Sequence, residues 1–209
     1  MSADRIPSRP AEAVTGVVLA GGRGQRMGGV DKGLQALAGR PLVAHVLERL
    51  RPQVGEVLIS ANRHGDVYAA FGHTVLADAE ADFAGPLAGV LAALSVCRTP
   101  WLVCVPCDAP KLPLDLAQRL HDAAAREGAA GALVCTRTVD GSQQLQPTFM
   151  LLHQRLAQPL RDALAHGERS AHRFAAAQGL VPVHFDGDAA FANLKTPQEL
   201  ASMERAWSC

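Results

Sequence analysis

Short apolar runs alternate with helical patterns along the first two thirds of the chain. The runs are nearly continuous and bounded by turn residues, which is typical of strands buried on both faces, and they cover residues 15–20, 56–61, 74–77 and 101–107. Between them, residues 41–50 and 114–127 repeat apolar side chains on one helical face, and residues 86–96 are small and apolar throughout. This succession predicts an α/β fold in which a mostly parallel sheet is covered by helices on both faces.

The last third of the chain continues the alternation less regularly. Predicted strands cover residues 132–136, 148–153 and 181–185, and predicted helices cover residues 155–166, 171–178 and 196–207. No internal repeat or linker rich in Pro, Gly or Ser divides the sequence. We therefore predict a single domain over residues 14–209, after an unstructured leader over residues 1–13.

Composition and charge narrow the classes of function. The 209 residues include 20 Lys and Arg against 20 Asp and Glu, so no overall field attracts nucleic acid or an anionic membrane, and neither is expected as a partner. The leader lacks the apolar segment of a secretory signal, and residues 86–97 fall short of the ~18 apolar residues of a membrane span. An odd count of 5 cysteines favours reduced thiols, so we predict a cytoplasmic protein.

A glycine-rich loop over residues 21–33 follows the first predicted strand, where open α/β sheets bind ligands. It contains six glycines, and Arg23, Arg26 and Lys32 outnumber the single acid, Asp31. Successive N–H groups of such loops converge on anions, so we predict a polyphosphate site. The spacing fits neither the dinucleotide fingerprint G-x-G-x-x-G nor the P-loop, which argues against a redox cofactor and against a P-loop ATPase.

Polar side chains follow the other predicted strands of the first half. Asn62, Asp78 and Asp108 stand directly after the second, third and fourth strand. Singly, Asn62 or Asp78 could be a cap or a turn former. Asp108 lies in PCDAP after a buried strand, where a carboxylate can bind Mg²⁺ together with substrate phosphates.

These motifs together resemble the molybdenum cofactor guanylyltransferases of bacteria. The resemblance rests on LAGGRGQRMGGVDKG (19–33), ANRH (61–64), ADFAGPLAG (81–89), PCDAP (106–110) and FANLKTPQEL (191–200). It implies a Rossmann-like fold, GTP as donor, Mg²⁺, and transfer of GMP onto the terminal phosphate of molybdopterin with release of pyrophosphate. Asp108 matches the Mg²⁺ ligand, and the positions that match GTP contacts are Leu19, Ala20, Gly21, Lys32, Asn62, Asp78 and Asp108.

The residues also suggest roles within such a site. We assign the loop N–H groups, including those of Gly21 and Gly22, to the β- and γ-phosphates, and Arg26 and Lys32 to the leaving pyrophosphate, with Arg23 secondary. Guanine donates from N1 and N2, so Asn62 and Asp78 could accept from the base or contact the ribose. The acceptor is expected over the second half of the chain, at Gln146, Pro147, Thr148, Arg169 and Asn193.

The sequence departs from the resemblance at Lys195, where family members carry a second Asn. Two other functions stay open: cytidylyl or uridylyl transfer to a pterin or sugar phosphate, and a non-catalytic GTP-binding carrier of the cofactor. Other proteins of cofactor biosynthesis, or the molybdoenzymes that receive the cofactor, are possible partners.

Several motifs are assigned to structure rather than to chemistry. Cys104 and Cys107 form C-x-x-C on a strand, where thiols three residues apart point to opposite faces, so we predict no zinc site. The scattered histidines, His64 among them, are expected to be surface or capping groups. Ser170 is predicted to cap a helix, as is Thr196 together with Glu199.

Overall fold

The computed structural model describes residues 10–21, 30–77, 85–138, 141–194 and 196–207. A seven-stranded sheet forms its centre, with a two-stranded hairpin beside it. The strands are β1 (Val14–Leu19), β2 (Ala36–Leu37), β3 (Arg40–Pro41), β4 (Glu56–Ser60), β5 (Thr74–Leu76), β6 (Trp101–Pro106), β7 (Gly131–Arg137), β8 (Gln143–His153) and β9 (Val181–Phe185). The helices are α1 (Leu42–Leu50), α2 (Gly65–Ala69), α3 (Pro86–Val96), α4 (Leu116–Arg126), α5 (Ala157–Ala165), α6 (Ala171–Ala177) and α7 (Pro197–Trp207).

The central sheet has the order β5-β4-β1-β6-β8-β7-β9. Neighbouring strands run parallel except at β8, which is antiparallel to both β6 and β7. The predicted α/β fold with a mostly parallel sheet is therefore confirmed. Because β8 is reversed, its amino-terminal half lies at the same edge of the sheet as the carboxyl ends of the parallel strands.

Helices cover both faces of the sheet, as predicted. Helices α1 and α4 supply Val46, Leu50 and Leu120 to the hydrophobic cluster on one face. Helices α3, α5 and α6 contribute to the cluster on the other face. Cys104 belongs to the second cluster and Cys107 to the first, so the two thiols lie on opposite faces of the sheet, as predicted.

The structure differs from the sequence prediction mainly in short elements. The hairpin β2–β3 and the five-residue helix α2 were not predicted. Strand β8 begins at Gln143, five residues before the predicted strand. Pro10–Ala13, the last residues of the expected leader, form a turn of 3-10 helix, and residues 1–9 lie outside the described part of the chain. None of the described helices is long and apolar enough to cross a membrane.

Candidate nucleotide site

A ladder of backbone hydrogen bonds joins the carboxyl ends of four parallel strands. In each case, a residue just beyond one strand donates its N–H to the last carbonyl of the neighbouring strand. The pairs are Cys107 to Leu19 (3.1 Å), Ala20 to Ser60 (2.7 Å) and Ala61 to Leu76 (2.9 Å). The ladder therefore brings together the chain segments that hold the predicted nucleotide-binding residues Leu19, Ala20, Asn62 and Asp108.

Gly21 lies against the side chain of Asn62 at this edge. A Cβ atom placed on Gly21 would be 3.3 Å from Asn62 Nδ2. Asn62 itself is exposed, one residue beyond the ladder. The start of the glycine-rich loop and the residue after β4 therefore form one continuous surface, as the predicted contacts to a single nucleotide require.

Lys32 and Asp108 form an ion pair at the same edge. Lys32 begins a 3-10 turn (Lys32–Leu34), and its Nζ lies 3.4 Å from Asp108 Oδ2. The Asp108 side chain is 8% exposed and that of Lys32 is 27% exposed, so the pair is only partly screened by solvent. The structure thus unites the predicted metal ligand with the predicted phosphate-binding cation.

Asp31 is buried and hydrogen-bonded within the protein. It is 6% exposed, and its Oδ1 accepts from the backbone N–H of Gly33 (3.2 Å) and from the hydroxyl of Tyr68 (2.6 Å). Its Oδ2 lies 3.1 Å from Nδ1 of His64, which is half exposed. Sequence reasoning counted Asp31 only as a charge and missed Tyr68, because Tyr68 lies on the unpredicted helix α2.

Burial keeps two neighbouring groups of this site protonated. Burial, then the nearby Cys107 and Asp31, raise the pKa of the Tyr68 hydroxyl, which therefore remains a donor. Burial also raises the pKa of the Cys107 thiol, and Asp108 and Asp31 raise it further. A thiolate nucleophile is therefore not available at Cys107 near neutral pH.

The segment around Asn193 packs beside Asp108. The N–H of Leu194 donates to the backbone carbonyl of Asp108 at 3.0 Å. Two residues before Asn193, the ring of Phe191 packs edge-on against Phe149, with centroids 5.1 Å apart. This aromatic contact joins the segment around Asn193 to β8. Phe149 lies in β8 immediately after the predicted acceptor residues Gln146, Pro147 and Thr148.

Strand β8 is irregular where those predicted acceptor residues occur. Its register with β7 shifts between Leu133, which faces Met150, and Val134, which faces Gln146. The intervening residues, Pro147 and Thr148 among them, form a bulge, a feature common next to active sites. Continuing the register of β8 with β6 brings Thr148 level with Pro106, two residues before Asp108.

Gln146 and Arg169 make contacts of their own. Gln146 Nε2 donates to the hydroxyl of Thr136 at 3.3 Å. Arg169 Nη1 donates to the carbonyls of Leu164 (2.8 Å) and Glu168 (3.0 Å). The carbonyl of Arg169 would be 3.6 Å from a Cβ on Gly85, so the backbone of Arg169 lies at the amino-terminal end of α3.

Several predicted site residues lie outside the described part of the chain: Gly22, Arg23, Arg26, Asp78 and Lys195. Among the described residues, no group of three or more His, Cys, Asp or Glu side chains converges as a metal cage. The described part of the candidate site therefore consists of the strand-end ladder, Gly21 with Asn62, the Lys32–Asp108 pair and the segment that contains Asn193.

The sequence and the fold of this chain are similar to those of known nucleotidyltransferases. The chain is 50% identical to a molybdenum cofactor guanylyltransferase of Cupriavidus taiwanensis, over 91% of this chain and 96% of that protein. Its fold matches molybdopterin-guanine dinucleotide biosynthesis protein A from Archaeoglobus fulgidus, with a TM-score of 0.73, 21% identity, and coverage of 93% of this chain and 98% of that one. It also matches 2-C-methyl-D-erythritol 4-phosphate cytidylyltransferase from Thermus thermophilus, with a TM-score of 0.74, 18% identity, and coverage of 92% and 98%.

The family model of the MobA-like NTP transferase domain matches residues 16–182, which include the carboxyl-terminal part of β1, the described part of the glycine-rich loop, Asn62 and Asp108. This span is most of the chain, and it contains the ladder on which the candidate site is built. With its fold, its strand-end residues and this match in agreement, the chain belongs to the MobA-like NTP transferase family.

Proposed function

We propose that this protein transfers GMP from GTP to the terminal phosphate of molybdopterin, forming the guanine dinucleotide cofactor and pyrophosphate. The observation that carries this proposal is the Lys32–Asp108 pair at the strand-end ladder, next to Gly21 and Asn62. The name of the Cupriavidus taiwanensis relative, at 50% identity, supports guanylyl transfer.

In this reaction an oxygen of the acceptor phosphate forms a bond to the α-phosphorus of GTP. The bond between that phosphorus and the oxygen that bridges it to the β-phosphate breaks, and this oxygen leaves with the pyrophosphate. The acceptor phosphate is already anionic near neutral pH, so no general base is needed. Lys32 neutralises charge on the departing pyrophosphate, with Arg26 as its partner on the loop. Asn62 and Asp78 contact the base or the ribose, and the backbone of Leu19, Ala20, Gly21 and Gly22 positions the nucleotide.

Asp108 fits a site for Mg²⁺. It offers a nearly buried carboxylate at the edge of the sheet, already balanced by a cation at 3.4 Å. Mg²⁺ is usually bound by one or two carboxylates together with substrate phosphates and water, so one carboxylate at a phosphate site is an appropriate donor. When bound, the ion polarises the phosphate oxygens. Asp108 would hold the ion, and Lys32 would pair with phosphate oxygens.

The acceptor is proposed to bind across the bulge of β8 and the segment of Asn193. Gln146, Pro147, Thr148 and Asn193 supply its contacts, with Arg169 at a further point of the surface. The support is the Leu194–Asp108 hydrogen bond and the Phe149–Phe191 contact, which hold these segments beside the metal ligand. We also propose that residues 14–209 work as one nucleotidyltransferase domain. The four described cysteines are free, as is typical of a reducing compartment, which supports the proposal that the protein is cytoplasmic.

Release of pyrophosphate tests the reaction. With Mg²⁺ and molybdenum-loaded molybdopterin, we expect turnover with GTP and none with CTP, UTP or ATP. Equal turnover with CTP would replace guanylyl with cytidylyl transfer, an activity named for the Thermus thermophilus protein of the same fold. Binding of GTP without turnover, given a verified acceptor, would instead identify a non-catalytic carrier.

The variant Asp108→Asn tests the metal ligand. The amide keeps the size of the side chain but loses the charge that binds Mg²⁺, so we expect turnover to be abolished while the circular dichroism spectrum stays that of the wild type. Lys32 would then lack its carboxylate partner, and its own affinity for phosphate should persist. Unchanged activity would remove Asp108 from the metal site.

A further inference from the structure

We propose that a cluster formed by the buried residues Asp31, Gly33 and Tyr68 and the half-exposed His64, here called the Asp31 cluster, positions Lys32 for phosphate binding. The inference rests on the proposed function, because it assigns Lys32 to the nucleotide. Within that function, Asp31 and Tyr68 are positioning residues: they act through Lys32 and contact no reacting atom.

The burial of Asp31 is the first observation. A carboxylate that is 6% exposed is costly to bury unless donors surround it. Three donors do so: the Gly33 N–H, the Tyr68 hydroxyl and His64 Nδ1. The Tyr68 contact, at 2.6 Å, is the shortest of the three, and Tyr68 is fully buried. Asp31 is therefore fixed by groups from two different parts of the chain.

Gly33 is fitted closely to the same partners. A Cβ atom on Gly33 would lie 2.4 Å from the Tyr68 hydroxyl oxygen and 3.2 Å from Cβ and Sγ of Cys107. Since real Cβ atoms do not approach other atoms so closely, only glycine lets the chain pass between α2 and the end of β6. Gly33 is thus fixed by packing, as Asp31 is fixed by hydrogen bonds.

Lys32 lies between these two fixed residues. Its side chain starts from a backbone that cannot shift, and it reaches Asp108 Oδ2 at 3.4 Å. A lysine side chain loses rotamer entropy when it is ordered, so a fixed starting point favours a productive geometry. Tyr68 remains a donor because burial raises the pKa of its hydroxyl. The Asp31 cluster therefore aims Lys32 at the position that the phosphates would occupy.

The test is the variant Tyr68→Phe, which removes only the hydroxyl. The chain has three lysines, Lys32, Lys111 and Lys195, so selective ¹³C labelling of lysine gives three side-chain signals, and Lys32→Arg identifies the one from Lys32. Without any nucleotide, we expect relaxation of the Lys32 ε-carbon to show a mobile side chain in Tyr68→Phe and an ordered one in the wild type. With GTP and the acceptor, kcat/KM should fall about tenfold, because a mobile Lys32 must then be ordered on binding the phosphates and loses rotamer entropy at that step.

Thr15→Val is the matched control. Thr15 is fully buried, and its Oγ1 forms a partly buried hydrogen bond with Thr99 Oγ1 at 2.9 Å near the amino-terminal end of β1, at the opposite edge of the sheet. This variant also removes a hydroxyl hydrogen bond, and it should lower the melting temperature without changing Lys32 mobility or kcat/KM. His64→Ala, at a half-exposed position, provides a second test that leaves the core intact and should also mobilise Lys32.

The outcomes separate the two proposals. An ordered Lys32 in both Tyr68→Phe and His64→Ala would overturn the role of the Asp31 cluster, as would mobility without any change in kcat/KM. An equal effect of Thr15→Val would reduce that role to general stability. Failure of the wild type to turn over GTP would overturn the proposed function alone, because the relaxation measurement uses no nucleotide.

Discussion

The contact between α3 and β4 at Gly89 predicts a measurable loss of stability. A Cβ atom on Gly89 would lie 2.3 Å from Oγ and 3.1 Å from Cβ of Ser60, and 3.3 Å from Cδ2 of Leu19. Rotation of the Ser60 hydroxyl relieves the first of these contacts but not the other two. Ser60 is 2% exposed, and its carbonyl accepts the ladder hydrogen bond from Ala20, so its backbone cannot move away.

The size of the effect of Gly89→Ala follows from two opposing terms. Overpacking a buried contact costs about 1–3 kcal/mol. Replacing glycine by alanine inside a helix returns about 1 kcal/mol. The difference is about 0–2 kcal/mol, and we expect the upper half of that range, about 1–2 kcal/mol, because the tight contacts involve strand residues that are held in place. For a protein of this size that corresponds to a fall in melting temperature of roughly 2–8 °C.

Thermal unfolding followed by circular dichroism would measure this change. The double variant Ser60→Ala with Gly89→Ala removes the nearest atom and should recover most of the loss. Gly65→Ala is the matched control, because a Cβ there meets nothing within 4 Å, and it should not lower the melting temperature. A Gly89→Ala protein at least as stable as the wild type would refute the packing argument.

Two further predictions concern acid and thiol chemistry. Burial lowers the pKa of His153, and the nearby Arg155 lowers it further. The Nδ1 of the neutral ring accepts from the Arg155 N–H at 3.1 Å. The stability that the neutral ring contributes is therefore present above pH ~6.5 and is lost as the pH falls. His153→Asn keeps an acceptor without titrating, and its melting temperature should fall less than that of the wild type between pH 7 and 5; parallel curves would contradict this. Burial raises the pKa of the Cys104 and Cys107 thiols, so both should react slowly with iodoacetamide in the native protein. Mass spectrometry should find both thiols unalkylated after treatment of the native protein and alkylated after treatment in denaturant. Rapid alkylation of the native protein would show that the thiols are accessible.

Periodicity in the sequence predicted the parallel strands and long helices because each buries a repeating set of side chains. It could not reveal β2, β3 or α2, which have two, two and five residues and are too short to show a period. The sequence predicts this strand only over residues 148–153, whereas β8 begins at Gln143 and contains Pro147, a residue that is disfavoured in a central strand. The structure places Pro147 in the bulge, where it needs no partner in β7.

The candidate site likewise contains residues whose location the sequence predicts and residues that only the fold reveals. The location of Asn62 and Asp108 at the edge of the sheet could be predicted because each directly follows a strand, and that of Lys32 because it belongs to the loop after β1. Tyr68 could not, because it meets Asp31 across 37 residues of sequence and its contact depends on a tertiary fold. For Asp31, a local count of charges does not show the environment of the side chain, because only the fold brings the carboxylate against Tyr68 and His64.

The strand-end ladder has a consequence for how such a site could change its substrate. Its hydrogen bonds use only backbone atoms, so the ladder is indifferent to which side chains follow each strand. Residues such as Asn62, one position beyond it, can be exchanged without disturbing the strands that support them. Under the proposed function, we therefore expect that substitutions beyond the ladder can alter the preference for a base while the strands that support the site keep their hydrogen bonds.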